Sequence, residues 1–335
     1  MSELLEVKNL SVSFFTPQGE VHAVRDVSFS LKHGEVLAIV GESGCGKSAL
    51  CKSILKLLPD SARIKSGRIL VNGTDITDYR ERDMCRLRGK LFSMVFQDPM
   101  AALNPTMSVE AQIAEAVKVH QPDITPTQLR QRVTELMTLV GIESPQERMK
   151  LYPCNFSGGM RQRSVMAIAL AGNPAILFAD EPTTALDVTI QAQILDLLRE
   201  VQEKTGTATV FVTHDLGVVA RVADRVAVMY AGKIVEIGTV EEIFYDPRHP
   251  YTWGLMRALP ACAKGKDTLY TIPGMPPTLL KVPRGDAFAC RNEYALGIDY
   301  EEEPPMFRVT DTHYAATWLM DERAPGIKAP IGDMR

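Results

Sequence analysis

An apolar run, Val36-Leu37-Ala38-Ile39-Val40, leads into Gly41-Glu42-Ser43-Gly44-Cys45-Gly46-Lys47-Ser48, and that into a helical pattern from Lys47 to Leu58 stopped before Pro59. No other stretch constrains the fold as strongly. A fully apolar strand belongs inside a sheet, and a strand that ends on glycines and turns into a helix begins a parallel βα unit. The eight residues fit the spacing G-x-x-x-x-G-K-[ST]. Glycines let backbone N–H groups converge on phosphate oxygens, and the helix N-terminus adds positive potential. Lys47 can neutralise β and γ phosphates, and Ser48 offers a hydroxyl to Mg2+. The competing reading, a glycine turn with a solvated lysine, requires neither the strand before it nor the helix after it.

Around this unit the chain alternates β-branched runs with helical patterns. Leu4–Phe14, Val27–Leu31, Arg68–Val71, Leu91–Phe96, Ile176–Phe178, Thr209–Val212, Arg225–Met229 and Lys233–Ile237 read as strands, and Gln191–Lys204 and Asp215–Val222 as helices. Ser108–Val140 is a helical insertion interrupted near Pro122 and Pro126. After Phe244 prolines become frequent, from Pro247 to Pro283, and a separate loop-rich tail is expected. At 335 residues the chain has room for one large domain or two ordinary ones. No apolar run reaches the about 18 residues of a spanning helix. A net charge of −4 with no Lys/Arg block argues against nucleic acid as a partner. The six cysteines are scattered without a CxxC pair, and Met1-Ser-Glu-Leu-Leu-Glu-Val carries acids where a secretory leader would be basic. A reduced cytoplasmic protein with free thiols is expected.

Two further stretches carry chemistry. Ile176-Leu177-Phe178-Ala179 ends on Asp180-Glu181, a pair that can orient Mg2+ through water (Asp180) and polarise an attacking water (Glu181). Taken alone, such a pair is more often a turn or a cap; the phosphate loop upstream tips the balance. Asn155-Phe156-Ser157-Gly158-Gly159-Met160-Arg161-Gln162-Arg163 opens a helix with a serine cap and two glycines, another N-terminus suited to phosphate.

Here the chain resembles the ABC transporter ATPases, whose signature LSGGQ is matched by Phe156-Ser157-Gly158-Gly159-Met160. Gln97 in Val95-Phe96-Gln97-Asp98 is similar to the Q-loop, Thr184-Ala185-Leu186-Asp187 to the D-loop, and His214 in Val212-Thr213-His214-Asp215 to the switch histidine. The resemblance implies an α/β P-loop NTPase cassette over residues 1–246, with a RecA-like core and a helical subdomain at about 100–172. It implies ATP and Mg2+ as cofactors. Catalysis falls to Glu181, His214 and Gln97; nucleotide binding falls to Phe14, Gly41, Ser43, Gly44, Cys45, Gly46, Lys47, Ser48, Ala49, Ser157, Gly158, Gly159 and Asp187. Magnesium falls to Ser48, Gln97 and Asp180. Phe14 is expected to stack on adenine, with Phe15 as its competitor. It also implies head-to-tail pairing, in which ATP on Lys47 of one cassette is closed over by the signature serine of another.

Asp180-Glu-Pro-Thr-Thr-Ala-Leu-Asp187, Asp246-Pro-Arg-His249-Pro250-Tyr251-Thr252 and the tail from Ile272-Pro273-Gly274 to Arg284-Gly285 resemble the oligopeptide/dipeptide permease ATPases. Residues 247–335 then correspond to their C-terminal extension. That likeness implies a peripheral protein on the cytoplasmic side of the cell membrane. Its partners would be a paralogous ATPase, or a second copy of itself, two membrane permeases and, indirectly, a solute-binding protein. Import of nickel, glutathione or another small solute is the alternative, and a soluble ATPase acting on nucleic acid is disfavoured. Many relatives hold an iron–sulfur cluster on four cysteines in this extension; with only Cys262 and Cys290 after Asp246, no cluster is expected.

Overall fold

The computed structural model describes residues 3–184, 187–259 and 270–330, and at Met100 the backbone alone. Two compact units interleave along the sequence: one of residues 3–30, 37–77 and 213 onward, the other of residues 31–36 and 78–212.

The first unit opens with β1 (Glu3–Thr16), close to the expected Leu4–Phe14, and β2 (Gly19–Lys32), far longer than the expected Val27–Leu31. β3 (Val36–Val40) is buried at every residue and leads through the glycine loop to α1 (Lys47–Ile54). That helix was expected to reach Leu58 but stops four residues earlier. Lys56 takes a left-handed φ of 54°, its N–H returns to the Ser53 carbonyl, and the Leu57 N–H returns to the Lys52 carbonyl. This is a Schellman stop, which ends the helix before Pro59 has any say. β4 (Ala62–Val71) and β5 (Thr74–Asp75) follow, β4 running antiparallel along β1 in the order β2-β1-β4-β5. β4 is more than twice the length of the expected Arg68–Val71 because pairing with β1 extends it past its apolar end.

The second unit begins with α2 (Glu81–Leu87), then β6 (Phe92–Val95) and the short α3 (Pro99–Ala102). The helical insertion forms as its spacing predicts. α4 (Val109–His120) is capped by Ser108, and α5 (Pro126–Leu139) begins with a capping box of Thr125 and Gln128. α6 (Pro145–Arg148) leads to α7 (Gly158–Leu170), whose cap is Ser157. β7 (Ile176–Asp180), α8 (Val188–Thr205) and β8 (Ala208–Thr213) complete the unit. β6, β7 and β8 lie side by side, all parallel. β7 and β8 are buried at every position, the pattern of strands covered on both faces.

The chain then returns to the first unit with α9 (Leu216–Val222), β9 (Arg225–Tyr230), β10 (Lys233–Thr239) and α10 (Val240–Tyr245). The stretch expected to be loop-rich contains α11 (Pro250–Arg257), with the His249 ring as its N-cap acceptor. It also contains two short strands, β11 (Phe307–Arg308) and β12 (Tyr314–Ala315). β12 pairs antiparallel with β10, so this stretch joins the unit's second sheet, ordered β11-β12-β10-β9-β3.

Candidate functional site

In the first unit the phosphate loop has the backbone its glycines were read for. Gly41, Gly44 and Gly46 take φ of 157°, 80° and 105°. A Cβ on Gly41 would lie 2.1 Å from the Met229 carbonyl oxygen, and one on Gly46 2.1 Å from that of Ala23, so no side chain fits at either. Lys47 is buried, and its ammonium donates to the carbonyls of Gly41 (2.8 Å) and Glu42 (2.9 Å). Ser43, Ser48 and Ala49 stand in the same loop and first turn of α1. Burial pushes the Cys45 thiol above its ordinary value, which leaves it a poor nucleophile beside the loop. Lys47 is the first residue of α1, so its ammonium lies against the loop backbone at a helix N-terminus, a setting that suits a phosphate chain.

In the same unit Phe14 is half-buried opposite Ala62, whereas Phe15 is 43% exposed. The Phe15 ring has the Lys65 ammonium 5.4 Å and the Arg63 guanidinium 5.9 Å from its centroid. Of the two competitors, Phe15 offers the open ring. His214 is exposed just past the end of β8.

In the second unit the structure brings Gln97 and Glu181 together. Glu181 follows the fully buried β7 in a left-handed conformation, φ 46°, which is strained for a residue with a side chain. Its N–H donates to the Val212 carbonyl at 3.0 Å. Its carboxylate accepts from the Thr184 hydroxyl at 2.9 Å and from Gln97 Nε2 at 3.2 Å. Asp180, 4% exposed, is the last residue of β7. The carboxylate is therefore aimed by two side chains and a bent backbone. Of the D-loop, Ala185 and Leu186 lie outside the described residues; Asp187 accepts the Ile190 N–H at 3.0 Å and caps α8.

The signature helix lies in this second unit too. Ser157 Oγ accepts the Met160 N–H at 3.3 Å, and Ser157 and Gly158 are exposed. Gly159 is buried, and a Cβ there would come 2.7 Å from Ile190 Cγ2, so the second signature glycine lets α7 approach α8 closely. Met160, which replaces the commoner glutamine, has its sulfur 3.5 Å from Arg148 Nη1.

Three contributors escaped sequence reasoning. Thr184 stands in the D-loop motif, which carries no sign that its hydroxyl orients Glu181. Tyr251 stands in a motif quoted above, yet nothing in that motif reveals that its hydroxyl accepts the Glu42 N–H at 2.9 Å. Arg291 grips the Glu42 carboxylate from 249 residues away, a separation at which a single sequence carries no pairing signal.

Residues 24–184 match the family described as ABC transporter, and residues 235–298 match the one described as oligopeptide/dipeptide transporter, C-terminal region. The chain belongs to the ABC transporter ATP-binding family. Within it, the chain is 56% identical to an oligopeptide transport ATP-binding protein of Bacillus subtilis, over 98% of this chain and 92% of the relative. It is 54% identical to a dipeptide transport ATP-binding protein of Lactococcus lactis, over 97% and 93%. Among solved structures, a dimeric ATP-binding cassette in a post-hydrolysis state bound to ADP and Pi aligns with TM-score 0.63 at 26% identity, covering 70% of this chain and 98% of that one. A cassette from the cbiONQ ABC transporter complex of Clostridium perfringens aligns with TM-score 0.64 at 30% identity, over 73% and 92%.

Proposed function

We propose that the chain is the ATP-hydrolysing subunit of an importer that takes up oligopeptides or dipeptides through partner membrane permeases. What carries this reading is that the likeness runs through the cassette and the extension alike: residues 24–184 speak for ATP, and residues 235–298 for peptide transport. No helix among the described residues is long and apolar enough to cross a membrane, and on this reading partner permeases supply the pore. On this reading it docks at the cytoplasmic face of the membrane beside a paralogous ATPase or a second copy of itself. A solute-binding protein delivers the peptide.

The residue roles follow from chemistry. The loop from Gly41 to Ser48 cradles the β and γ phosphates, with Lys47 as counter-charge and Ala49 in the first turn behind it. Ser48, Gln97 and Asp180 supply a hydroxyl, an amide oxygen and a carboxylate, an all-oxygen donor set suited to Mg2+. Bound there, Mg2+ would neutralise charge on the phosphates. Glu181 takes a proton from the attacking water, Gln97 and Thr184 orient its carboxylate, and His214 holds the γ-phosphate. An exposed aromatic of β1, Phe15 by its openness or Phe14, stacks on adenine. Ser157, Gly158, Gly159 and Asp187 act on nucleotide held by a second cassette, a pairing supported by the dimeric state of a solved relative.

Cys290 is an exposed free thiol and Cys262 lies outside the described residues; two thiols are too few for a four-thiolate cluster. Anaerobically purified protein is expected to lack iron and the absorbance band near 400 nm. The central test is purification of the tagged chain from membranes. Two permeases should come with it, and uptake of labelled peptide should need ATP. A chain that brings no membrane protein with it, or a transporter indifferent to peptides, would defeat the reading.

A further inference from the structure

The extension reaches the phosphate loop through two side chains, Tyr251 on the Glu42 N–H and Arg291 on the Glu42 carboxylate. Arg291 ends the 3-10 turn Ala289–Arg291, and its side chain is 5% exposed. Nη1 donates to Glu42 Oε2 at 2.7 Å and Nη2 to Oε1 at 2.8 Å, a parallel two-bond grip. Nε donates to the Pro273 carbonyl at 2.8 Å, and Nη1 also reaches the Tyr230 hydroxyl at 3.2 Å. Tyr230, Tyr251 and Phe288 pack ring against ring around it, with centroids 4.6 to 5.3 Å apart. These bonds hold the guanidinium more firmly protonated than usual.

Glu42 is the second residue of the loop, and each of its polar parts is engaged. The carboxylate is held by Arg291, the N–H donates to the Tyr251 hydroxyl at 2.9 Å, and the carbonyl accepts from Lys47 Nζ at 2.9 Å. Two physical consequences follow. A loop with three positive-φ glycines has much backbone freedom to lose on binding, and a loop fixed in advance loses less. A carboxylate beside a phosphate site repels the ligand unless something cancels its charge.

We propose that Arg291 is a positioning residue for ATP: by gripping and neutralising Glu42 it holds the phosphate loop ready, so that the C-terminal extension sets nucleotide affinity. This rests on the reading of the loop as the ATP phosphate site. Arg291 touches no phosphate and acts through Glu42.

The test uses the full chain, with MgATP binding measured by calorimetry, turnover by phosphate release, and folding by thermal melting. Arg291→Met leaves Glu42 both loose and uncompensated, and ATP affinity is expected to fall about tenfold. The turnover rate at saturating ATP should stay within about twofold, because the loss is in ground-state binding. Glu42→Gln loosens the loop without stranding a charge, and about threefold is expected. The double variant should match Glu42→Gln, so that the second change rescues the first. A merely structural Arg291 would lower the melting temperature and show no such rescue. A folded Arg291→Met chain with wild-type ATP affinity, or a double variant no better than Arg291→Met, overturns the proposal. If Arg291→Met does not fold, unchanged affinity in Glu42→Gln overturns it as well. Wild-type protein that melts cooperatively but binds no MgATP would sink the reading beneath the proposal and the proposal with it.

Discussion

β7 and the extension fix their functional groups by opposite means. β7 is five residues long and buried at every one. It owes its rigidity to a parallel ladder on both sides and to apolar packing, and it can therefore hold the next residue, Glu181, in a strained left-handed conformation. Among its described residues the extension has one eight-residue helix, α11, and otherwise short turns and two-residue strands. Its surroundings bury Glu236, His249, Asp286, Arg291, Asp299 and His313, each under a tenth exposed. Where there is no ladder, side chains must satisfy the buried backbone. Glu236 accepts from the N–H groups of Arg248 (2.5 Å) and His249 (3.1 Å) and pairs with His313 Nε2 at 2.8 Å. Asp286 accepts the Phe288 N–H at 2.9 Å, and Asp299 the Leu296 N–H at 2.6 Å. A strand can spend its polar groups on chemistry at its tip, whereas an irregular segment needs them to stand up.

The sharpest way to break this distinction is to change the carboxylate at the tip of β7 and, on β10, the carboxylate that holds the backbone at the start of the extension. Glu181→Gln should lose about 10²- to 10⁴-fold in steady-state ATP hydrolysis, the range for a removed general base, and should keep ATP binding and its melting temperature. Turnover near wild type would take the base role from Glu181, and a large fall in melting temperature would mean that β7 depends on that carboxylate for stability. Glu236→Ala should do the reverse. It strands the N–H groups of Arg248 and His249 and the fully buried His313, at a cost of about 3 kcal/mol in urea unfolding. A Glu236→Ala chain that unfolds at the wild-type urea midpoint would erase the distinction.

How much of this the sequence reveals follows the same divide. β3, β7 and β8 are legible because a strand covered on both faces is a continuous apolar run, and their tips are legible because Gly41-x4-Gly46-Lys47-Ser48 and Asp180-Glu181 place their chemistry within a few residues of each other. The edges of elements are less so. α1 ends early on a left-handed Lys56 that no glycine announces, and β2 begins at Gly19 through polar residues that pairing with β1 makes extended. The fold of the extension shows in the sequence only as a run of prolines. α11 is missed because Pro250, a helix breaker in most places, stands at its first turn, where a proline is well tolerated. Arg291 on Glu42, like Glu303 on Arg25 at 2.6 Å, joins residues about 250 or more apart, and such pairs leave no local pattern.

A finer contrast separates two buried groups of the extension by the sign of their pH dependence. Burial pushes His249 down to about 3 from an ordinary 6.5. As pH falls from 6.5 toward 3 the unfolded chain takes up a proton that the folded chain refuses, so stability drops on acidification. Burial pushes Asp286 the other way, up to about 7 from 3.8, with Asp299 and Glu303 adding to the rise. As pH climbs from 3.8 to 7 the unfolded chain releases a proton that the folded chain keeps, so stability drops on neutralisation. Between about pH 4 and 6.5 the two slopes oppose each other. Asp286→Asn removes only the second, so relative to wild type it should gain on the order of 4 kcal/mol between pH 4 and pH 8. His249→Asn keeps an acceptor for the Tyr251 N–H and removes only the first, so its deficit against wild type should shrink as pH falls from 7 to 4. Urea unfolding of the three chains at pH 4, 5.5, 7 and 8 reads both slopes. Stabilities that stay parallel across that range would mean that neither group is held away from water as strongly as its packing indicates, and that the extension stands on something other than its buried polar side chains.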